Sequence, residues 1–355
     1  MALPTLPQST VLVVDDSAFN RRSISEMLEA SAEVRVVGKA ADGEEALRLA
    51  ASLRPDVITL DLEMPKMDGF TFLRILMSKM PTPVIVVSSY SAKENVFRAL
   101  ELGALDFVAK PEQKIDGDFQ GMRAELVAKV LLARTLRRGA FAARPAIDSL
   151  PGHDSVPPGV AEHQMPKHVV GIASSTGGPT ALMQVVSRMP TRYAGALLVT
   201  QHMPDKFTRT FAERLDRRSE LEIHEAADAD EVVAGSALVC PGGRCMVVEA
   251  VSGGALPRVR VRPPVPEDRY VPSADRLFAS LAKLFGPRAV GVILTGMGDD
   301  GVAGARAILD AGGTVVAESD ATAIVYGMPG AAVRAGVVTR SLSLPEIAEY
   351  LAQLR

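Results

Sequence analysis

Val11-Leu12-Val13-Val14-Asp15-Asp16 is a run of four apolar, strand-forming residues that ends in two aspartates. A strand without polar alternation is covered on both faces, as in the interior of a parallel sheet. The pattern recurs in Val34-Arg35-Val36-Val37, Asp56-Val57-Ile58-Thr59-Leu60, Val84-Ile85-Val86-Val87 and Phe107-Val108-Ala109, with segments of helical period between them. Five strand–helix repeats predict one doubly wound domain over residues 1–130.

Beyond His168 the rhythm resumes. Val169-Val170-Gly171-Ile172, Ala196-Leu197-Leu198-Val199, Ala237-Leu238-Val239, Val290-Gly291-Val292-Ile293-Leu294 and Thr314-Val315-Val316-Ala317 read as strands of a second domain over 166–355. No internal duplication relates the halves. The expected class is α/β, with two doubly wound parallel-sheet domains, a flavodoxin-like one followed by a Rossmann-like one. Residues 131–165 read as a connector. Lys129 to Arg144 carries five basic residues and no acidic one, and Pro145, Pro151, Pro157 and Pro158 follow. The basic run suits either a solvated helix face or a docking surface for an acidic partner.

Composition narrows the function classes. The 355 residues suffice for two ordinary domains, with 47% hydrophobic and 23% charged residues. A net charge of −3 offers no global attraction to nucleic acid or to an anionic membrane. Strand–helix repeats without a helix-turn-helix speak against DNA-binding output. Cys240 and Cys245 are the two cysteines, too few for a disulfide framework and without metal-site spacing. The opening residues lack the features of a signal peptide, and no apolar run approaches the roughly 20 residues of a membrane span. A reducing cytoplasm is the expected location.

In a parallel sheet the carboxyl ends of all strands share one edge, where ligands bind. Asp15 and Asp16 follow the first strand, Asp61 the third, Ser88 and Ser89 the fourth, and Lys110-Pro111 the fifth. Three carboxylates gathered there repel one another unless a hard cation sits between them, and oxygen-only ligation suits Mg²⁺. Asp61 is then placed as a nucleophile toward a phosphoryl group. Lys110 and Ser88 would meet the phosphoryl oxygens.

The second domain offers a different set. Gly171-Ile172-Ala173-Ser174-Ser175-Thr176-Gly177-Gly178-Pro179 joins a strand to a helix. Such a loop can cradle a phosphate or present a serine oxygen beside backbone N–H groups. It lacks the lysine and spacing of a P-loop, and Ala173 stands where a nucleophile elbow needs glycine. Of five histidines, His153 and His163 fall in the connector, His168 precedes a strand and His224 lies in a polar stretch. His202 alone follows a strand of this sheet directly. Leu294-Thr295-Gly296-Met297-Gly298-Asp299-Asp300-Gly301 adds two aspartates at a third strand end. Serine, histidine and aspartate at three strand ends supply the parts of a hydrolytic triad, which is a geometry and not a chain order.

Residues 11–24, 56–69, 83–89 and 103–111 resemble the response-regulator receiver family. Residues 171–179, 201–216, 237–246, 271–282, 289–301 and 326–332 resemble the catalytic domain of the chemotaxis CheB methylesterase family, which also carries a receiver ahead of it. The receiver resemblance implies phosphorylation of Asp61 by a histidine kinase and Mg²⁺ held by Asp15, Asp16, Asp61 and the Glu63 carbonyl. It further implies Ser88 as the switch hydroxyl and Lys110 before a cis proline. The methylesterase resemblance implies Ser175 as nucleophile, His202 as base and Asp300 as its partner, with Asp299 the variable neighbour. Backbone N–H groups near Thr176 and Met297 would bind the oxyanion, and the esterase chemistry would need no cofactor. The implied substrates are glutamyl methyl esters, and glutamines, of chemoreceptors, which places the protein near receptor arrays. Cys245 and Val271 depart from the family's common His and Arg, at positions expected to border the substrate groove.

Overall fold

The computed structural model describes residues 8–89, 92–111, 116–134, 136 and 164–354. The chain divides into two compact units, Met1–Ser149 and Leu150–Arg355. Most of the expected connector, with His153, His163 and much of the basic run, lies outside the described residues.

In the first unit β1 (Ser9–Val14), β2 (Val34–Ala40), β3 (Val57–Leu60), β4 (Val84–Ser88) and β5 (Asp106–Ala109) alternate with helices. These are α1 (Ala18–Glu29), α2 (Gly43–Leu53), α3 (Gly69–Lys79), α4 (Lys93–Glu101) and α5 (Asp116–Arg134). The sheet is parallel with strand order β2-β1-β3-β4-β5. β1, β3 and β4 are inaccessible along nearly their whole length, which is why their sequences show no polar alternation. Ser17, Asp42 and Asp68 accept the N–H groups of Asn20, Glu45 and Thr71, starting the helices that follow β1, β2 and β3 just past the carboxyl edge.

The second unit holds a seven-stranded parallel sheet. Its strands are β6 (Val169–Ser174), β7 (Ala196–Gln201), β8 (Glu222–Glu225), β9 (Ser236–Val239), β12 (Ala289–Ile293), β13 (Thr314–Glu318) and β14 (Arg340–Leu342). They lie in the order β14-β13-β12-β6-β7-β9-β8. The chain runs outward from β6 first through β7, and later returns to β12 on the other side. The reversal between β6 and β12 opens a crevice at the carboxyl edge. The helices are α6 (Gly178–Val186), α7 (Asp205–Asp216), α8 (Ala274–Phe285), α9 (Val302–Asp310), α10 (Met328–Arg334) and α11 (Leu344–Gln353).

The sequence reading missed four strands. β8 and β14 are edge strands, short and polar, with one flank exposed; His224 stands in β8. An antiparallel hairpin of β10 (Cys245–Glu249) and β11 (Arg258–Arg262) packs on α8, where Val248 N–H donates to Ser280 Oγ at 3.0 Å. Its Arg-Val-Arg-Val-Arg alternation is the mark of a half-buried strand, which a search for continuous apolar runs passes over.

One close approach fixes the start of α6. A Cβ on Gly178 would collide with Gln201 Oε1 and stand 2.8 Å from Ser174 Cβ. Neither neighbour can retreat, since both are fully buried at adjacent strand ends. Gly178→Ala should therefore destabilise the second unit by about 2–3 kcal/mol, read as a lowered denaturation midpoint by circular dichroism. An unchanged midpoint would mean that α6 shifts freely.

Candidate functional site

At the carboxyl edge of the first sheet, Asp15, Asp16 and Asp61 each offer an oxygen within 4.8 Å of the others. Lys110 reaches in from β5, its Nζ 2.9 Å from Asp15 Oδ2 and 2.6 Å from Asp61 Oδ2. Burial pushes the Asp15 carboxyl above the usual carboxylate range, against the pull of Lys110. Burial works against the Lys110 ammonium too, but Asp61 and Asp15 more than offset it and hold its pKa up. Glu63 lies in the turn after Asp61, and its N–H donates to Asp61 Oδ1 at 3.4 Å. Ser88 is buried at the end of β4, and its carbonyl accepts the Lys110 N–H at 2.8 Å, tying the two strand ends together. The Lys110–Pro111 bond is not cis; among the described residues the cis peptide is Val271–Pro272. Lys110 reaches both carboxylates from a trans bond, so no cis turn is needed to aim it. The donor set, all oxygen and strongly anionic, fits a hard dication.

At the crevice of the second sheet, Ser175 follows β6, His202 follows β7 and Asp300 lies beyond β12. His202 Nε2 is 2.8 Å from Asp300 Oδ2. Asp300 is 1% exposed. The first turn of α8 secures it: Oδ2 accepts Ala274 N–H at 2.8 Å and Oδ1 accepts Asp275 N–H at 3.0 Å. Gly301 N–H adds a third backbone donor at 3.0 Å. A carboxylate at a helix N-terminus is favoured by both the unpaired donors and the helix dipole. Asp275 returns the arrangement by accepting Gly304 N–H at 2.8 Å in the first turn of α9. Its own carboxyl is pushed up by burial.

Ser175 and His202 are held at the level of their backbones. His202 N–H donates to the Ser174 carbonyl at 3.0 Å. The Gln201 amide donates to the Ser175 carbonyl at 3.0 Å and to the His202 carbonyl at 2.9 Å. Its Oε1 accepts the Ser174 hydroxyl at 2.7 Å. Thr295 joins the remaining loops: its hydroxyl donates to the Thr176 carbonyl at 2.9 Å and accepts Val325 N–H at 3.0 Å. Its N–H is taken by the buried Glu318 at 2.8 Å. Ser175 N–H donates to the Thr295 carbonyl at 3.1 Å, and Met297 stands exposed at the mouth.

Gln201 and Tyr270 border these residues and were not singled out from the sequence. Gln201 directly precedes His202, which was the available signal. Tyr270 lies in a polar, proline-containing loop without periodicity, so nothing in the sequence marked it. It lines a cavity of about 410 Å³ with Asp275, Arg276, Asp299 and Asp300. Cys240 and Cys245 are buried and unbridged. Cys245 Sγ is 3.6 Å from Asp268 Oδ2, and burial pushes its thiol up, so it is a packed, buried group. Val271 is half-buried.

Residues 170–351 match the CheB methylesterase family, and residues 11–117 match the response regulator receiver domain. The protein-glutamate methylesterase/protein-glutamine glutaminase 1 of Myxococcus xanthus is 49% identical over 97% of this chain and 96% of its own. The similarly named protein 3 of Geobacter sulfurreducens is 48% identical over 97% of this chain and 96% of its own. The solved catalytic domain of the Thermotoga maritima CheB methylesterase superposes with a TM-score of 0.51 at 34% identity, covering 53% of this chain and 98% of that one. The chain belongs to the CheB methylesterase family, with a response regulator receiver domain preceding the esterase domain.

Proposed function

We propose that this chain hydrolyses methyl esters of glutamate side chains on chemoreceptors, and deamidates glutamines there, under control of phosphorylation at Asp61. Residues 1–130 would be the receiver, 131–165 the connector and 166–355 the catalytic domain. Its partners would be methylated chemoreceptors as substrate and a chemotaxis histidine kinase as phosphodonor, in the cytoplasm beside receptor arrays. No helix among the described residues is long and apolar enough to cross a membrane.

The observation that carries the esterase reading is the 2.8 Å pair between His202 Nε2 and the buried Asp300 carboxylate. With Nε2–H donating to Asp300, Nδ1 is the basic nitrogen left for Ser175. His202 takes the serine proton as Oγ attacks the ester carbonyl. Asp300 stabilises the imidazolium, and the tetrahedral oxyanion rests on N–H groups of Thr176 and Met297. The C–O bond to methanol breaks as His202 returns the proton. Water then attacks the acyl-serine by the same path and frees the glutamate carboxylate. Glutamine follows with ammonia as the leaving group.

In the receiver, Asp61 would attack the kinase phosphoryl group, an O–P bond forming as the N–P bond of phosphohistidine breaks. Asp15, Asp16, Asp61 and the Glu63 carbonyl would hold Mg²⁺, which neutralises charge on the transferred group when bound. Lys110 would carry one phosphoryl oxygen and Ser88 another. The added charge of roughly −2 gives the switch its driving force.

Methanol release from methylated receptor preparations tests the reaction. Ser175→Ala should lower turnover at least about 10³-fold; an active variant refutes the assignment. An acyl phosphate donor should raise the parent rate about tenfold or more, a coupling of roughly 1.4 kcal/mol, and Asp61→Asn should abolish that rise. The neighbouring aspartates separate cleanly: Asp300→Asn should lose at least about 10²-fold and Asp299→Asn no more than about threefold. Equal losses would contradict the assignment of Asp300. In thermal unfolding, Mg²⁺ at 100 times its Kd should stabilise the receiver by about 2.7 kcal/mol, an effect that Asp15→Asn should remove.

A further inference from the structure

Asp300 holds the His202 ring by one nitrogen. A single hydrogen bond fixes the distance to that atom, yet it leaves the ring free to tilt about the bond and swing Nδ1 off the serine. A second constraint comes from the loop before α8. The Tyr270 ring lies parallel to His202, with 4° between planes and 5.3 Å between centroids. Such an offset stack is favourable, and it defines a plane, which a hydrogen bond alone does not.

Tyr270 is itself held. Its hydroxyl donates to Asp299 Oδ1 at 2.8 Å. Arg269 Nη1 lies 3.3 Å from Asp299 Oδ2, and its guanidinium carbon is 5.4 Å from the Tyr270 centroid. Burial, then the Asp299 carboxylate, pushes the Tyr270 phenol up, so it stays a neutral donor. The hydrogen bond from Tyr270 is the main cause holding Asp299 below the usual carboxylate range. The backbone makes room for the phenol: Gly298 has φ +99°, and a Cβ there would stand 3.0 Å from Tyr270 Cζ. A side chain at 298 would therefore displace the ring that lies on His202.

We propose that Tyr270 is a positioning residue for the catalytic imidazole, fixing the plane of His202, and that Asp299 acts through the Tyr270 hydroxyl to hold that ring in place. The two adjacent aspartates thus secure one imidazole from two directions. Asp300 holds its edge directly, and Asp299 holds its face through Tyr270. This rests on the esterase reading. Misaligning the base affects the chemical step more than substrate binding, so the loss belongs in kcat.

The test uses the full-length protein and methanol release from methylated receptor membranes, with Ser175→Ala measured alongside. Tyr270→Leu should lower kcat about 10- to 100-fold with KM within about twofold. Tyr270→Phe keeps the stack but loses the tether to Asp299, and should lower kcat only about three- to tenfold, less than Tyr270→Leu does. Asp299→Ala should lower kcat about three- to tenfold in the parent and add nothing in the Tyr270→Phe background. If Tyr270→Leu proves unstable, the Phe variant and the Asp299 cycle carry the decision. Parental kcat in Tyr270→Leu, a loss lying in KM alone, or an undiminished Asp299→Ala effect in Tyr270→Phe overturns the proposal while an inactive Ser175→Ala leaves the esterase reading standing. A fully active Ser175→Ala removes that reading and this proposal together.

Discussion

A buried carboxylate must find partners for its lone pairs, and Asp300 finds four: three backbone N–H groups and the His202 ring. Two of those donors are the leading N–H groups of α8, which any helix leaves unpaired. The fold thus uses an unmet requirement of one helix to hold the Asp300 carboxylate against His202. Asp275 does the same for α9 in the opposite direction. The two helices are locked at their starts by each other's neighbourhoods, so the position of the Asp300 carboxylate is set by the packing of α8 and α9.

Both units solve a related problem at the same place. A parallel sheet delivers every strand's carboxyl end to one edge, so residues far apart in the chain converge there. In the receiver the convergence gathers like charges, and burial raises the Asp15 carboxyl even with Lys110 beside it. That is an arrangement waiting for positive charge. In the esterase unit the convergence gathers neutral donors around a single carboxylate, and its partner is a histidine. One edge gathers carboxylates around a lysine, the other gathers backbone donors and an imidazole around a carboxylate.

The sequence disclosed the parts of this arrangement that depend on continuous apolar runs. β1, β3, β4, β6, β7 and β12 are inaccessible on both faces, and their composition says so directly. Such runs also point to Asp15, Asp61, Lys110 and His202, each directly past the end of one, whereas the choice of Ser175 over Ser174 and of Asp300 over Asp299 rests on the family resemblance. What the sequence hid lies off those runs. β8 and β14 are too polar to stand out, and the β10–β11 hairpin alternates where a run was sought. Tyr270 reaches His202 across a loop whose path follows from tertiary packing alone, and no local pattern encodes that.

Gln201 marks the boundary between what a sequence encodes and what a fold assembles. Its amide donates to two carbonyls, one from the residue beside it and one from Ser175 on the neighbouring strand. The first contact is local and the second exists only because β6 and β7 pair in one register, with Ser174 opposite Gln201. A slip of one residue would turn Gln201 to the other face of the sheet and part the two backbones. The register is held by apolar residues along both strands, which make no contact with the chemistry. The placing of the Ser175 and His202 backbones at adjacent strand ends is thus a consequence of core packing well below that edge.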